Sequence, residues 1–326
     1  MVEQKPKLEK ITPDNQYLFT VFTPTYNRAH TLHRVYESLK SQKDYRCFEW
    51  LIVDDGSSDN TRDLVEQWRK ESLFPIRYIY QENGGKHTAF NRGVKEARGE
   101  LFLNFDSDDS CTPEALERFK FHWDAIPEDR KSDFTGVTCL CQDEQGRIVG
   151  SYFPLDVTDS DSLEIRYKHK VVGEKWGFHR RNVLLKFPFP EIIDPNGDRL
   201  THIPESIVWK SIARKYKTRY INEPLRTYFS GSDRIMKSSV VNSAFSCVLE
   251  YKSILNTELD YFRFAPRKLL YSAIRYSRSS FHMGRSLVEQ NRNLNTVGGK
   301  LLWLGGLPVG YSIYLRDKIL HYANQL

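Results

Sequence analysis

The chain has 326 residues, 40% of them hydrophobic and 28% charged, a balance that suits a soluble globular protein and a length beyond one small domain. Five cysteines without a C-x-x-C pair exclude a disulfide framework and a zinc ribbon; Cys139 and Cys141 alternate as strand residues do. The net charge of +6 lies in residues 240–326, with 11 Lys/Arg against 5 Asp/Glu, while the first 239 residues balance at 37 against 37. A neutral body with a basic, aromatic-rich tail points to an anionic surface: a membrane, a nucleic acid or an acidic polymer. No nucleic-acid motif accompanies the basic tail, so no nucleic-acid partner is expected. No apolar run follows Met1, so residues 1–16 read as a flexible lead without a signal peptide, and a cytoplasmic location is expected.

Residues 17–23 are apolar and β-rich, and Leu32, Val35, Tyr36 and Leu39 then recur at helical spacing. Residues 48–53 read as a second buried strand, 61–69 as a helix with Leu64, Val65 and Trp68 on one face, and 76–80 as a third strand. Phe90, Gly93, Val94 and Ala97 give the next helical stripe, which Gly99 stops, and 101–105 form the fourth strand. Thr112-Pro113 reads as an N-cap with proline in the first turn. This alternation predicts an α/β fold, a parallel sheet with helices on both faces and ligands beyond the carboxyl ends of the strands. Later segments read as short strands at 134–141, 148–153, 175–178 and 218–221, with a loop over 184–193 and a helix over 206–215. Beyond about Gly231 the chain reads as all-helical.

Four polar clusters each follow a predicted strand: Thr23-Pro24-Thr25-Tyr26-Asn27-Arg28, Asp54-Asp55-Gly56-Ser57, Asn83-Gly84-Gly85-Lys86-His87, and Asp106-Ser107-Asp108-Asp109. Asp54 and Asp55 either accept from a nucleobase N–H or cap the next helix. The glycine pair before Lys86 either admits a phosphate or is a plain turn, and the P-loop spacing is absent. Arg92, one turn beyond His87, faces either the same pocket or solvent. The carboxylates of Asp106, Asp108 and Asp109 crowd one strand end and demand a compensating cation. Mn²⁺ or Mg²⁺ carrying a diphosphate answers that demand, a solvated acidic turn being the alternative.

Together these strings resemble family 2 glycosyltransferases of the GT-A fold, of the bacterial cell-surface polysaccharide type. The matching segments are Val21-Phe22-Thr23-Pro24-Thr25-Tyr26-Asn27-Arg28, Leu51-Ile52-Val53-Asp54-Asp55-Gly56-Ser57, Asn91-Arg92-Gly93 with Ala97-Arg98-Gly99-Glu100, and residues 103–109 with Pro113. The resemblance implies a GT-A (Rossmann-like) domain with a mixed central sheet over 17–232, followed by a helical segment over 233–326. It implies a nucleotide-sugar donor bordered by Thr23, Pro24, Thr25, Tyr26, Arg28, Gly85, Lys86, Asn91, Asp106 and Ser107, with Asp55 reading the base, most often uracil. Asp106, Asp108 and Asp109 would hold the metal, the inner ligand being either Asp108 or Asp109. The transfer would invert the anomeric centre and need one general base. Relatives carry that base in a Glu-Asp pair about four residues before a tryptophan; here Pro204-Glu205 precedes Trp209, so Glu205 is the candidate, with Asp194 and Asp198 in reserve. Trp176, His179 and His202 are candidate acceptor contacts, Trp176 being equally a core residue. The acceptor expected is a glycan or lipid-linked glycan. A non-catalytic nucleotide- or glycan-binding scaffold of the same fold is the rival reading.

Residues 301–315 carry no charge, yet they are shorter than the ~20 needed to span a bilayer, and Gly305-Gly306 and Pro308 are expected to break them. They either lie at a membrane surface, at the inner face of the cell membrane, or pack internally or on a second subunit.

Overall fold

The computed structural model describes residues 17–42, 48–193, 200–229 and 243–323. The expected lead over 1–16 and the reserve residues Asp194 and Asp198 lie outside them. The chain forms two compact units: one runs through Thr201 and resumes at Ser211, the other comprises His202–Lys210 and the C-terminal helices.

In chain order the first unit begins with β1 (Tyr17–Thr25), α1 (Ala29–Lys40), β2 (Phe48–Asp54), α2 (Thr61–Glu71), β3 (Ile76–Tyr80), α3 (Lys86–Glu96) and β4 (Gly99–Asn104). There follow β5 (Ser110–Cys111), α4 (Ala115–Asp124), β6 (Phe134–Gln142), β7 (Val157–Ser160), α5 (Ser162–Tyr167), β8 (Lys175–Arg180) and α6 (Arg181–Leu184). Next come α7 (Ser206–Ala213), within which the division between units falls, and β9 (Lys217–Thr227). The sheet order is β3-β2-β1-β4-β8-β6-β9-β5, with β7 also on β9. The first four strands are parallel; β8, β5 and β7 pair antiparallel, making the sheet mixed. The expected strand over 148–153 is absent: Ile148 makes one isolated bridge to Gln142.

β1 is flanked by β2 and β4, so the chain reverses direction of sheet growth there and opens a crevice at the carboxyl ends. Alternation along β1 fixes the two faces. Phe19 and Val21 join Leu32, Val35, Tyr36 and Trp68 of α1 and α2 in the main core. Phe22 points the other way, against Phe102 at 4.9 Å and Phe90 of α3 at 5.8 Å. Each such fully buried aromatic contributes roughly 1.5–3 kcal/mol, enough together to hold the strand ends that carry the polar loops.

The second unit contains α8 (Ala244–Thr257), α9 (Pro266–His282), α10 (Leu287–Arg292) and α11 (Val297–Ala323). Its core is Val248, Leu255, Ala273, Tyr276, Leu294 and Trp303. The break expected at Gly305-Gly306 and Pro308 does not occur: α11 is continuous with Pro308 inside it. A Cβ on Gly306 would stand 3.1 Å from the Ala273 Cβ, and one on Gly310 2.7 Å from the Ser277 Cβ. The glycines thus let α11 close onto α9, and packing outweighs their poor helix propensity. Among the described residues no helix is long and apolar enough to cross a membrane.

Candidate active site

The parallel register brings all four polar loops to one edge of the first unit. Asn27 adopts φ 52° and its side-chain oxygen accepts from the Ser58 amide at 2.8 Å, while its own amide donates to Ser57 Oγ at 2.8 Å. This cross-link ties the β1 loop to the β2 loop. Asp54 closes its own turn by accepting from the Ser57 amide at 2.7 Å and the Tyr78 hydroxyl at 2.5 Å. Asp55 is buried and grips the glycine loop: Oδ1 accepts from Gln81 Nε2 at 2.7 Å and the Gly84 amide at 2.9 Å, and Oδ2 from the Gly85 amide at 2.8 Å. Gly85 has φ +90°, and a Cβ there would meet the Thr201 carbonyl at 2.2 Å, so only glycine fits. The glycine turn is therefore a fixed platform presenting Lys86.

Thr23 is fully buried and accepts from Trp50 Nε1 at 3.0 Å, which makes it part of the core. Pro24 is buried beside it, and Thr25 Oγ1 is buried with no hydrogen-bond partner among the described residues. Tyr26 is 51% exposed and Arg28 is half-buried at the rim. Asn91 is engaged elsewhere: its amide accepts from the Phe189 N–H at 2.9 Å and donates to the Phe189 carbonyl at 2.9 Å and to Glu191 at 3.0 Å.

The cation demanded by the aspartates is supplied largely by the protein. β9 pairs with β5 so that Arg226 sits opposite Cys111, two residues from Asp109. Arg226 Nε donates to Asp109 Oδ2 at 2.7 Å, Nη2 contacts the same oxygen, and Nη2 reaches Asp106 Oδ2 at 3.0 Å. Asp109 Oδ1 accepts from the Phe229 amide at 3.0 Å. Lys86 Nζ pairs with Asp106 Oδ1 at 2.9 Å. Burial raises the Asp106 carboxyl, but Lys86 and Arg226 outweigh it and hold the group well below the usual carboxylate range. Burial likewise lowers Arg226, and Asp106 and Asp109 more than reverse it. Arg34, stacked 4.0 Å over the Phe229 ring, donates to the Asp108 backbone carbonyl at 2.7 Å. The Asp108 carboxylate is half-buried and makes no ion pair or hydrogen bond among the described residues. Ser107 is buried between the two.

Trp176 is a core residue: it is 3% exposed, donates to the Asn104 carbonyl at 2.6 Å and packs on Phe105 at 4.9 Å. His179 bonds Thr135 Oγ1 at 2.9 Å, and burial pushes it down to about 4, so it is neutral at physiological pH. Glu205 and His202 belong to the second unit and are exposed. The Glu205 carbonyl accepts from the Val208 and Trp209 amides at 3.1 and 3.3 Å, which puts Glu205 at the head of α7.

The family model for glycosyl transferase family 2 matches residues 20–182, the span from β1 through β8 that builds this edge. The chain belongs to glycosyl transferase family 2. Among its relatives, an uncharacterized glycosyltransferase of Mycoplasma pneumoniae (MG025 homolog) is 27% identical over 220 residues, 66% of this chain and 68% of that one. The poly(ribitol-phosphate) beta-N-acetylglucosaminyltransferase TarS of Staphylococcus aureus is 34% identical over 100 residues, 30% of this chain but 18% of TarS. The structure of TarS residues 1–349 with UDP-GlcNAc is similar at a TM-score of 0.54, 19% identity and 89% and 79% coverage of the two chains. That of the mannosyltransferase PcManGT of Pyrobaculum calidifontis, with GDP-Man and Mn²⁺, is similar at 0.53, 17% identity and 96% and 91% coverage. These likenesses show the GT-A fold.

Family 2 glycosyltransferases commonly use a divalent cation, and the residues here fit one in part. Asp108 offers an uncommitted carboxylate, and Asp106 offers Oδ1, whose partner Lys86 is 47% exposed and able to withdraw. Asp109 is 1% exposed with both oxygens bonded to Arg226 and Phe229, so it is a poor ligand. Among the described residues no three His, Cys, Asp or Glu side chains form a metal cage. A cation at Asp106 and Asp108 would complete its shell with diphosphate and water oxygens. Arg226 is not among the residues that the sequence motifs single out.

Proposed function

We propose that this family 2 glycosyltransferase moves a sugar from a UDP-linked donor to a hydroxyl of a lipid-linked glycan, with inversion, during assembly of a cell-surface polysaccharide. The observation that carries the reading is the uncommitted Asp108 carboxylate beside an Asp106 already held ionised, on the edge where Asp55 and Lys86 converge. The name of TarS and its complex with UDP-GlcNAc support the donor class and the polymer acceptor. Asp106 and Asp108 would hold a divalent cation, which would supply charge stabilisation to the leaving nucleoside diphosphate. Lys86 is positioned to answer the same charge, and Arg226 keeps Asp106 ionised. Asp55, with three of its acceptor positions taken, retains one lone pair on Oδ2 for a uracil N–H. Glu205 takes the proton of the acceptor hydroxyl; this assignment rests on its place four residues before Trp209. On this reading the protein works at the cytoplasmic face of the membrane.

Glu205→Gln is expected to lower turnover by roughly 10²–10⁴ and to leave UDP affinity unchanged by calorimetry. Retained turnover moves the base elsewhere. The closure of Asp106 and Asp109 by Arg226 favours one rival, a nucleotide-binding scaffold; UDP binding with no hydrolysis of any UDP-sugar would establish it.

A further inference from the structure

Half of α11 faces inward. Trp303 is buried and donates to Gln290 at 3.0 Å, and Gly306 and Gly310 close onto α9. The other half is open: Leu301 is 65% exposed, Leu304 58%, Val309 48%, Tyr311 45%, Leu315 41% and Ile319 67%. From Leu301 to Leu315 no position carries a charge, a length of about four turns, with the half-buried Lys300 immediately before it. Arg316 and Lys318 are exposed immediately beyond, and Lys318 lies 5.2 Å from the Tyr314 ring centroid. A shallow, open hollow on this helix is lined by Pro308, Val309, Ser312, Ile313 and Arg316. Its wall is mostly apolar with a single guanidinium.

We propose that this face of α11 lies flat on an anionic lipid bilayer. An uncharged helical face of this length exposed to water marks a contact surface. The excess of 11 Lys/Arg over 5 Asp/Glu in residues 240–326 selects an anionic partner. The same excess opposes a second copy of the chain, which brings like charge to the contact. The hollow suits an amphiphile, with hydrocarbon against Val309 and Ile313 and a phosphate at Arg316. Tyr311 and Tyr314, packed on Phe281 at 5.0 and 5.6 Å, cluster at the cationic end, as aromatics do at headgroup depth. The helix lies in the plane because its inner half is committed to α9: Asp317 accepts from Arg278 Nε at 2.6 Å and bonds His282 at 3.0 Å. The inference concerns the helical unit alone and stands apart from the sugar-transfer reading, to which it adds a surface for reaching an acceptor carried on lipid.

The test is co-sedimentation of the full chain with phosphatidylcholine vesicles, with or without about 30% phosphatidylserine. Binding is expected to rise at least ~10-fold with the anionic lipid. Leu304→Glu with Leu315→Glu should lower it ~10-fold or more, with circular dichroism and UDP affinity unchanged. Arg316→Glu with Lys318→Glu should erase the preference for anionic lipid. Equal binding by wild type and the leucine variant would overturn the proposal. So would a protein that ignores vesicles but forms a dimer that the leucine variant dissolves, because a second copy would then cover the face. UDP affinity, read in the same samples, reports separately on the sugar-transfer reading.

Discussion

Arg226 governs what the aspartates can do. It is 5% exposed, and with Lys86 it sets two positive charges against the three carboxylates of Asp106, Asp108 and Asp109. Removing it leaves Asp109 buried and uncompensated. Arg226→Met is therefore expected to cost about 3–5 kcal/mol of unfolding free energy, measured by urea titration; a loss below 1 kcal/mol would mean that the pair has a water-accessible substitute. Lys86 differs because it is half-exposed and pairs with the one Asp106 oxygen left to a metal. Lys86→Met should let Mn²⁺ alone bind about tenfold more tightly, read from the free-ion paramagnetic resonance signal, whereas unchanged affinity would deny that competition. The acidic string and its need for a cation were legible in the sequence. The identity of the internal cation was not, because Arg226 lies 117 residues from Asp109 and only strand pairing joins them. A charged residue between Leu225 and Thr227, in a segment with strand character, was the available signal: a buried arginine requires a carboxylate partner.

Elements with strong internal patterns were readable. β2 is buried at every position, so its apolar run was plain, and α1 shows its core stripe in Leu32, Val35, Tyr36 and Leu39. β5 has two residues and β7 reads Val-Thr-Asp-Ser; both exist through pairing with β9, which no local pattern announces. α11 departs from the expected break because glycines count as breakers only where nothing packs on them, whereas Gly306 and Gly310 are contact points against α9. Gly310→Ala drives a Cβ to 2.7 Å from Ser277 and should destabilise the helical unit by about 1–3 kcal/mol. Gly305→Ala, where nothing lies within 4 Å, should stabilise it by about 0.5–1 kcal/mol. Thermal melts giving both variants the same sign would contradict the packing role of Gly310.

At the scale of the molecule, charge and chemistry are divided between the units. The first unit is near neutral overall and gathers its acids and bases at one sheet edge; the second carries the excess of cations and an uncharged helical face. The division suits an enzyme whose small soluble donor meets a preformed loop edge while its acceptor arrives on a surface. The central claim remains that Asp108, with Asp106, holds the cation that holds the donor. Calorimetry of UDP with Mn²⁺ on wild type and Asp108→Asn tests it most directly, since the half-exposed Asp108 side chain supports nothing else among the described residues and its loss should leave the melting temperature in place. The expected result is Mn²⁺-dependent UDP binding in the wild type that falls by at least ~100-fold in Asp108→Asn; equal affinity for UDP with Mn²⁺ in the two proteins would contradict it.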